Sequence, residues 1–99
     1  MNAKKRNTIV REIFLEKVKQ DPKCRLCGIR MATDPMHLIR RSYSTALITV
    51  AKNIEPGCRQ CHDIFDNRPE MRKSLKGYKA FSDRIREMDE FYWFRNFSE

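Results

Sequence analysis

Two C-x-x-C pairs, Cys24/Cys27 and Cys58/Cys61, constrain this chain more than any other feature of its sequence. Each pair brings two thiolates within reach of one tetrahedral ion, and the second pair completes a four-sulfur shell. A shell of that kind has no open position, so the ion it is expected to hold, Zn2+, is structural and not catalytic. The constraint bears on folding because the chain has 99 residues, of which 40% are hydrophobic and 34% charged. A core that small lies near the limit at which burial alone suffices, and the energy of binding a metal then becomes energy of folding. Two pairs without a βαβ pattern argue against thioredoxin-like redox chemistry, and metal is expected ahead of disulfides.

Charge narrows the partners. Residues 1–61 contain 13 Lys and Arg against 5 Asp and Glu, whereas residues 62–99 contain 8 of each. The formal charge of +8 therefore resides on the N-terminal part and the cysteine block. Such an excess favours a polyanion, nucleic acid first, through phosphate contacts and counterion release; a solvated basic surface is the plainer alternative. The opening MNAKKRNTIV lacks the apolar core of a secretory signal, and no apolar run has the length to span a bilayer. The expected setting is soluble and reducing, the cytoplasm, with no membrane partner.

The chain reads as one domain, 1–99, with an N-terminal helix in 1–21, a metal-stapled core in 22–67 and C-terminal helices in 68–99. After a basic arm at 1–6, Asn7 or Thr8 is a plausible N-cap for a helix to Lys19 with Ile9, Val10, Ile13, Phe14 and Val18 on one stripe. Asp21-Pro22 ends it. Pro22–Gly28 is expected to form a knuckle, Pro35–Arg40 and Asn53–Gly57 two short extended segments, and Ser42–Lys52 a connection between them. Helices are expected at Arg59–Asp66, at Pro69–Lys76 with Gly77 as its stop, and from Tyr78 onward on the spacing of Phe81, Ile85, Met88 and Tyr92. The aromatic tail (Phe91, Tyr92, Trp93, Phe94, Phe97) suits core or a partner surface better than a base-stacking platform.

Both histidines lie within the cysteine block, His37 on an extended segment and His62 directly after Cys61. His62 and Asp66, four apart on a helix, share one face and are able to bind one cation together. Taken singly, each is more often a surface, capping or hydrogen-bonded residue.

With C-x-x-C-G at Cys24–Gly28, M-H-L-I at Met36–Ile39, N-I-E-P-G-C-R-Q-C-H at Asn53–His62 and then Asp66-Asn67, the chain resembles the HNH endonucleases. The likeness is to small stand-alone proteins of phage and bacterial type, covers about residues 22–67, and leaves the flanks unmatched. It implies a small α+β fold: a ββα-metal core stapled by a four-cysteine zinc and flanked by helices. It implies a metal-dependent endonuclease or nickase acting on DNA. His37 would be the general base, and Asn53 would fix the hairpin that orients it. His62 and Asp66 would hold a catalytic divalent ion, Mg2+ or Mn2+, with Asn67 a weaker candidate. Arg40 and Arg41 would clamp the phosphate or make non-catalytic backbone contacts. A protein partner or a homodimer is compatible with the same reading.

The pattern departs from the family at Met36, where Asp or His usually ligates the ion. A thioether is too soft for Mg2+ or Mn2+. Three readings follow: Asp34, on the same strand face, supplies the carboxylate; His62 and Asp66 suffice with water, as in the similar D-R-G-H pattern of related nucleases; or catalysis is weak or lost, leaving a zinc-stapled module that binds nucleic acid or a protein partner.

Overall fold

A computed structural model describes residues 1–98. The first helix, α1, spans Ala3–Gln20, so most of the expected basic arm is helical. Asn2 explains the earlier start: its side-chain oxygen accepts the Lys5 amide at 2.9 Å and caps the first turn. Of the apolar stripe, Val10 is buried and packs with Ile48 and Ile54, with Ile13 against them. The far end of α1 is closed by Arg25, whose guanidinium donates to the carbonyls of Lys17 (2.8 Å), Asp21 (2.7 Å) and Lys23 (2.7 Å). Its own amide donates to Pro56 O at 2.9 Å, which joins the helix end to the strand beyond.

Strands β1 (Asp34–His37) and β2 (Ile54–Gly57) form an antiparallel pair in which Met36 faces Glu55 and His37 faces Ile54. Both are shorter than expected. The connection between them is no strand, despite its β-branched residues, and instead makes 3-10 turns at Thr45–Leu47 and Ala51–Asn53. Helix α2 (Arg59–Asn67) follows β2 directly, with the Cys58 side chain as its N-cap. Helix α3 is a single turn, Pro69–Arg72, with Pro69 at its start, where a missing N–H costs nothing. The expected long final helix is divided into α4 (Tyr78–Met88) and α5 (Glu90–Asn96). Asp89 divides it, because its carboxylate accepts the Tyr92 amide at 2.9 Å and starts a new helix.

The architecture is a small α+β fold with five α-helices and a two-stranded sheet among the described residues, none of the helices long and apolar enough to cross a membrane. Its main core runs from the cysteines through Met36, Leu38 and Phe65 to Phe81, Ile85, Tyr92 and Phe97. Gly77 sits where the α4 entry meets the knuckle: its amide donates to Leu26 O at 2.9 Å, and a Cβ there would lie 2.3 Å from the Arg25 carbonyl oxygen.

One ion-pair network ties three elements together. Glu55 on β2 is buried, meets the Lys17 ammonium of α1 at 3.5 Å and accepts from Arg84 of α4. Burial lowers the Lys17 pKa and Glu55 opposes that shift. Removing the carboxylate leaves the Lys17 ammonium to the carbonyls of Ala51 and Ile54 and the partly exposed Arg84 to that of Lys52, with no counter-charge for either. Replacing Glu55 with Ala should cost about 3 kcal/mol, read as a lower urea midpoint at unchanged slope.

Candidate metal centre and active-site cleft

The sulfurs of Cys24, Cys27, Cys58 and Cys61 lie within 4.8 Å of one another. Two local devices place them. The knuckle turns at Gly28, whose φ of +71° favours glycine, and its amide returns to Cys24 O at 2.9 Å. The second pair occupies the N-cap and first turn of α2, where the helix supplies N–H groups. Cys24 Sγ accepts from the Leu26 amide at 3.3 Å and Cys58 Sγ from the Cys61 amide at 3.4 Å. Burial would raise the Cys27 pKa, but the amides of Arg30 and Ile29 outweigh it and hold the thiol at about 6. At Cys61 burial wins and pushes the thiol up. Crowded sulfurs with N–H donors aimed at them fit a divalent cation that neutralises the thiolates, so the cluster is able to hold a structural metal such as zinc.

An open cleft of about 680 Å³ lies beside this cluster, lined in part by Asp34, His37, Arg40, Arg41, His62 and Asp66. Every residue singled out as catalytic or as a ligand of the second ion lines it, except Asn53, which lies beneath. His37 comes from the end of β1 and is 9% exposed. Its Nε2 lies 2.9 Å from the Ile48 carbonyl oxygen, which can only accept, so Nε2 carries the proton and Nδ1 keeps its lone pair. Burial lowers its pKa below 6.5, against the pull of Ile48 O, and the ring is neutral at pH 7.

Asn53 is fully buried and spends its whole amide on backbone. Its Oδ1 accepts the Ile39 amide at 2.7 Å, and its Nδ2 donates to the carbonyls of Ile39 and Leu47, each at 3.1 Å. These bonds stitch the exit of β1 to the 3-10 turns, which holds Ile48 O against His37.

His62 stands between two carboxylates. Its Nδ1 is 2.7 Å from Asp34 Oδ2 and its Nε2 is 3.0 Å from Asp66 Oδ2. The Asp66 hydrogen bond, opposed by burial and reinforced by Asp34, raises the His62 pKa to about 9. Asp34 is buried, accepts from Thr33 Oγ1 at 2.9 Å through its other oxygen and lies 3.4 Å from Arg59 Nε. Its pKa is lowered: burial alone would raise it, and the bonds from His62 and Thr33 overcome that. The two carboxylates thus address opposite edges of the imidazole. Among the described residues the cysteines are the one group of three or more such side chains with converging ligand atoms. The expectation that Asp34 joins His62 and Asp66 around one ion is not what this geometry presents, because the ring stands between the acids.

Met36 also reads differently in three dimensions. It is fully buried among the cysteines and Phe65, its sulfur packs over Gly57, and it does not line the cleft. Arg40 donates to the Asp66 carbonyl and Arg41 to Asn7 Oδ1 at 2.8 Å, so both rims of the cleft are tied down. Sequence reasoning missed Thr33, Arg59, the Ile48 carbonyl and Tyr92, whose hydroxyl accepts the Arg40 amide at 3.3 Å. Arg59, the Ile48 carbonyl and Tyr92 act through contacts remote in sequence or through backbone, which no local signal marks, whereas Thr33 stands directly before Asp34 and its hydroxyl was the one local signal available.

Compared with models of protein families, with curated proteins and with solved structures, the chain matches none.

Two outcomes test the site. Native mass spectrometry should find one tightly held zinc that the Cys58→Ser chain loses, with a large fall in melting temperature. The His62 pKa is raised in the folded state, so its contribution to stability is full below pH 6.5 and is lost as pH rises through about 9. Without Mg2+ or Mn2+, wild type should lose melting temperature across that window relative to His62→Gln.

Proposed function

We propose that the chain is a metal-dependent endonuclease or nickase of the HNH type that hydrolyses phosphodiester bonds in DNA, with a structural zinc in the cysteine cluster. One observation carries the reading: a neutral His37, its Nε2 tied to Ile48 O, lines the same cleft as the His62–Asp66 pair. With Nε2–H committed to the carbonyl, Nδ1 is the atom that takes the proton from water attacking phosphorus. Asn53 keeps the ring in place by holding the backbone on either side of the loop.

His62 Nε2 and Asp66 Oδ2 sit 3.0 Å apart, where a divalent cation, Mg2+ or Mn2+, would replace the proton they now share. Such an ion supplies positive charge to the phosphate oxygens and to the departing 3′ oxygen. In this scheme Asp34 is a positioning residue: it fixes the ring and tautomer of His62 from the far nitrogen, as carboxylates behind metal-bound histidines do. Arg40 and Arg41 line the cleft as planar donors for the phosphate.

A second reading is favoured by Met36. Its burial leaves the candidate ion with two protein ligands, which suits a zinc-stapled module that binds nucleic acid without cutting it.

Supercoiled plasmid with Mg2+ or Mn2+ separates the two. The zinc-loaded chain should nick it, and His37→Ala should lower the rate by about 10²–10⁴-fold. Intact DNA binding without nicking under either ion would defeat the nuclease reading. The rising limb of the pH–rate profile that belongs to His37 should fall below pH 6.5. Asp34→Asn should weaken Mn2+ binding about 10–100-fold while zinc stays bound. Met36→Asp should unfold the core instead of restoring a ligand, seen as a lower melting temperature.

A further inference from the structure

The cleft does not end at Arg40. A second concavity, lined by Arg40, Ser42, Tyr43, Tyr92, Arg95 and Asn96, shares Arg40 and Ser42 with it, so the two adjoin, and we call them together a trough that reaches α5. We propose that the α5 end of this trough is a second phosphate subsite, in which Arg95 and Arg40 hold the nucleic-acid backbone phosphate next to the one placed at His37. The proposal rests on the reading of the cleft as a DNA site and extends it to a helix outside the segment that resembles any nuclease.

Three observations carry it. The lining contains two guanidinium groups and no carboxylate. Asp89, which meets two of the lining tyrosines, has both oxygens engaged: one accepts the Tyr43 hydroxyl at 2.9 Å and the other caps the Tyr92 amide at 2.9 Å. Arg95 itself is exposed, its contact within the described residues being the face of Phe91, 5.7 Å from guanidinium carbon to ring centroid. A guanidinium held over a ring face spends none of its N–H donors on that contact, so they stay free for an anion.

The wall is also built to hold its shape. Tyr43 packs edge-on against Tyr92, with ring centroids 4.8 Å apart, and the Tyr92 hydroxyl accepts the Arg40 amide. The aromatic tail thus sets the spacing between the loop that carries Arg40 and the helix that carries Arg95. Ser42 adds a hydroxyl donor between them. An acidic peptide would meet the same charges. The phosphodiester is favoured because this concavity adjoins the cleft of His37 at Arg40 and Ser42, and because paired planar donors match phosphate oxygens bidentately.

The test is binding of a fluorescein-labelled 12-mer, single-stranded and duplex, to the full zinc-loaded chain by anisotropy over a range of NaCl, without Mg2+ or Mn2+. Arg95→Ala should weaken binding about 3–10-fold and reduce the slope of log K against log salt by about 1, and Arg95→Lys should keep the slope. Arg86→Ala is the control, since Arg86 stacks on Trp93 and lines neither part of the trough. Unchanged binding by Arg95→Ala overturns the subsite, as does an equal loss in Arg86→Ala, which would mean diffuse charge. Displacement by poly-glutamate as effective as by unlabelled DNA would overturn it in favour of an acidic protein partner. An Arg95 effect on binding in a chain that never nicks plasmid would retain the subsite and remove the nuclease reading; loss of all DNA binding would remove both.

Discussion

Four sulfur atoms drawn within 4.8 Å of one another tie the knuckle at Cys24 to the first turn of α2 at Cys61, and most of the molecule hangs from that tie. Between the two ends the chain makes an excursion with little regular structure: two four-residue strands and two 3-10 turns. A two-stranded hairpin is marginal in water by itself. Here its base is clamped, its far end is stitched by the amide of Asn53, and its flank is covered by α1. The cluster also seeds the main core, because Cys24, Cys58 and Cys61 are themselves buried against Met36, Phe65 and Phe81. A metal held there would contribute to folding through the same contacts.

The cleft inherits its geometry from this clamp at one remove. Helix α2 begins at Cys58, so the same cap that sets the sulfurs sets the rotation of His62 and Asp66 about the helix axis. The hairpin exit, held by Asn53, sets His37 against Ile48 O. Two groups with pKa values moved in opposite directions, His37 down and His62 up, thus come to line one concavity from separate elements. Opposed shifts in neighbouring imidazoles suit a division between a neutral base and a cation-binding position, which is the physical content of the proposed nuclease chemistry.

Much of the local structure was legible in the residue order. Pro69 starts a helix where the sequence places it, and the four-residue step from His62 to Asp66 puts both on one face of α2. The helix expected to run from Pro69 to a stop at Gly77 ends at Arg72, and Gly77 instead precedes α4. The errors have physical causes. Asn2, a short side chain able to cap, extended α1 over what read as a charged arm. Asp89 cut a periodic apolar pattern in two, since capping Tyr92 outweighed continuing the helix. The Ser42–Lys52 stretch is the connection its sequence suggested, and it makes 3-10 turns on either side of residues 48–50, closing on Asn53 with its Leu47 and Ile48 carbonyls turned inward.

By itself, the sequence determined what spacing along a chain can determine: the paired cysteines, the helical face of His62 and Asp66, the helix start at Pro69, and the excess of positive charge before residue 62. Tertiary structure alone decided which nitrogen of His37 keeps its proton, that Asp34 and Asp66 stand on opposite edges of His62, and that Met36 belongs to the core. It also decided that the aromatic tail supports Arg40 and brings Arg95 to the end of the trough. The reason is common to all of these. Each depends on a contact between residues far apart in the chain, and such contacts follow from how the clamped excursion closes on itself, which no local period encodes.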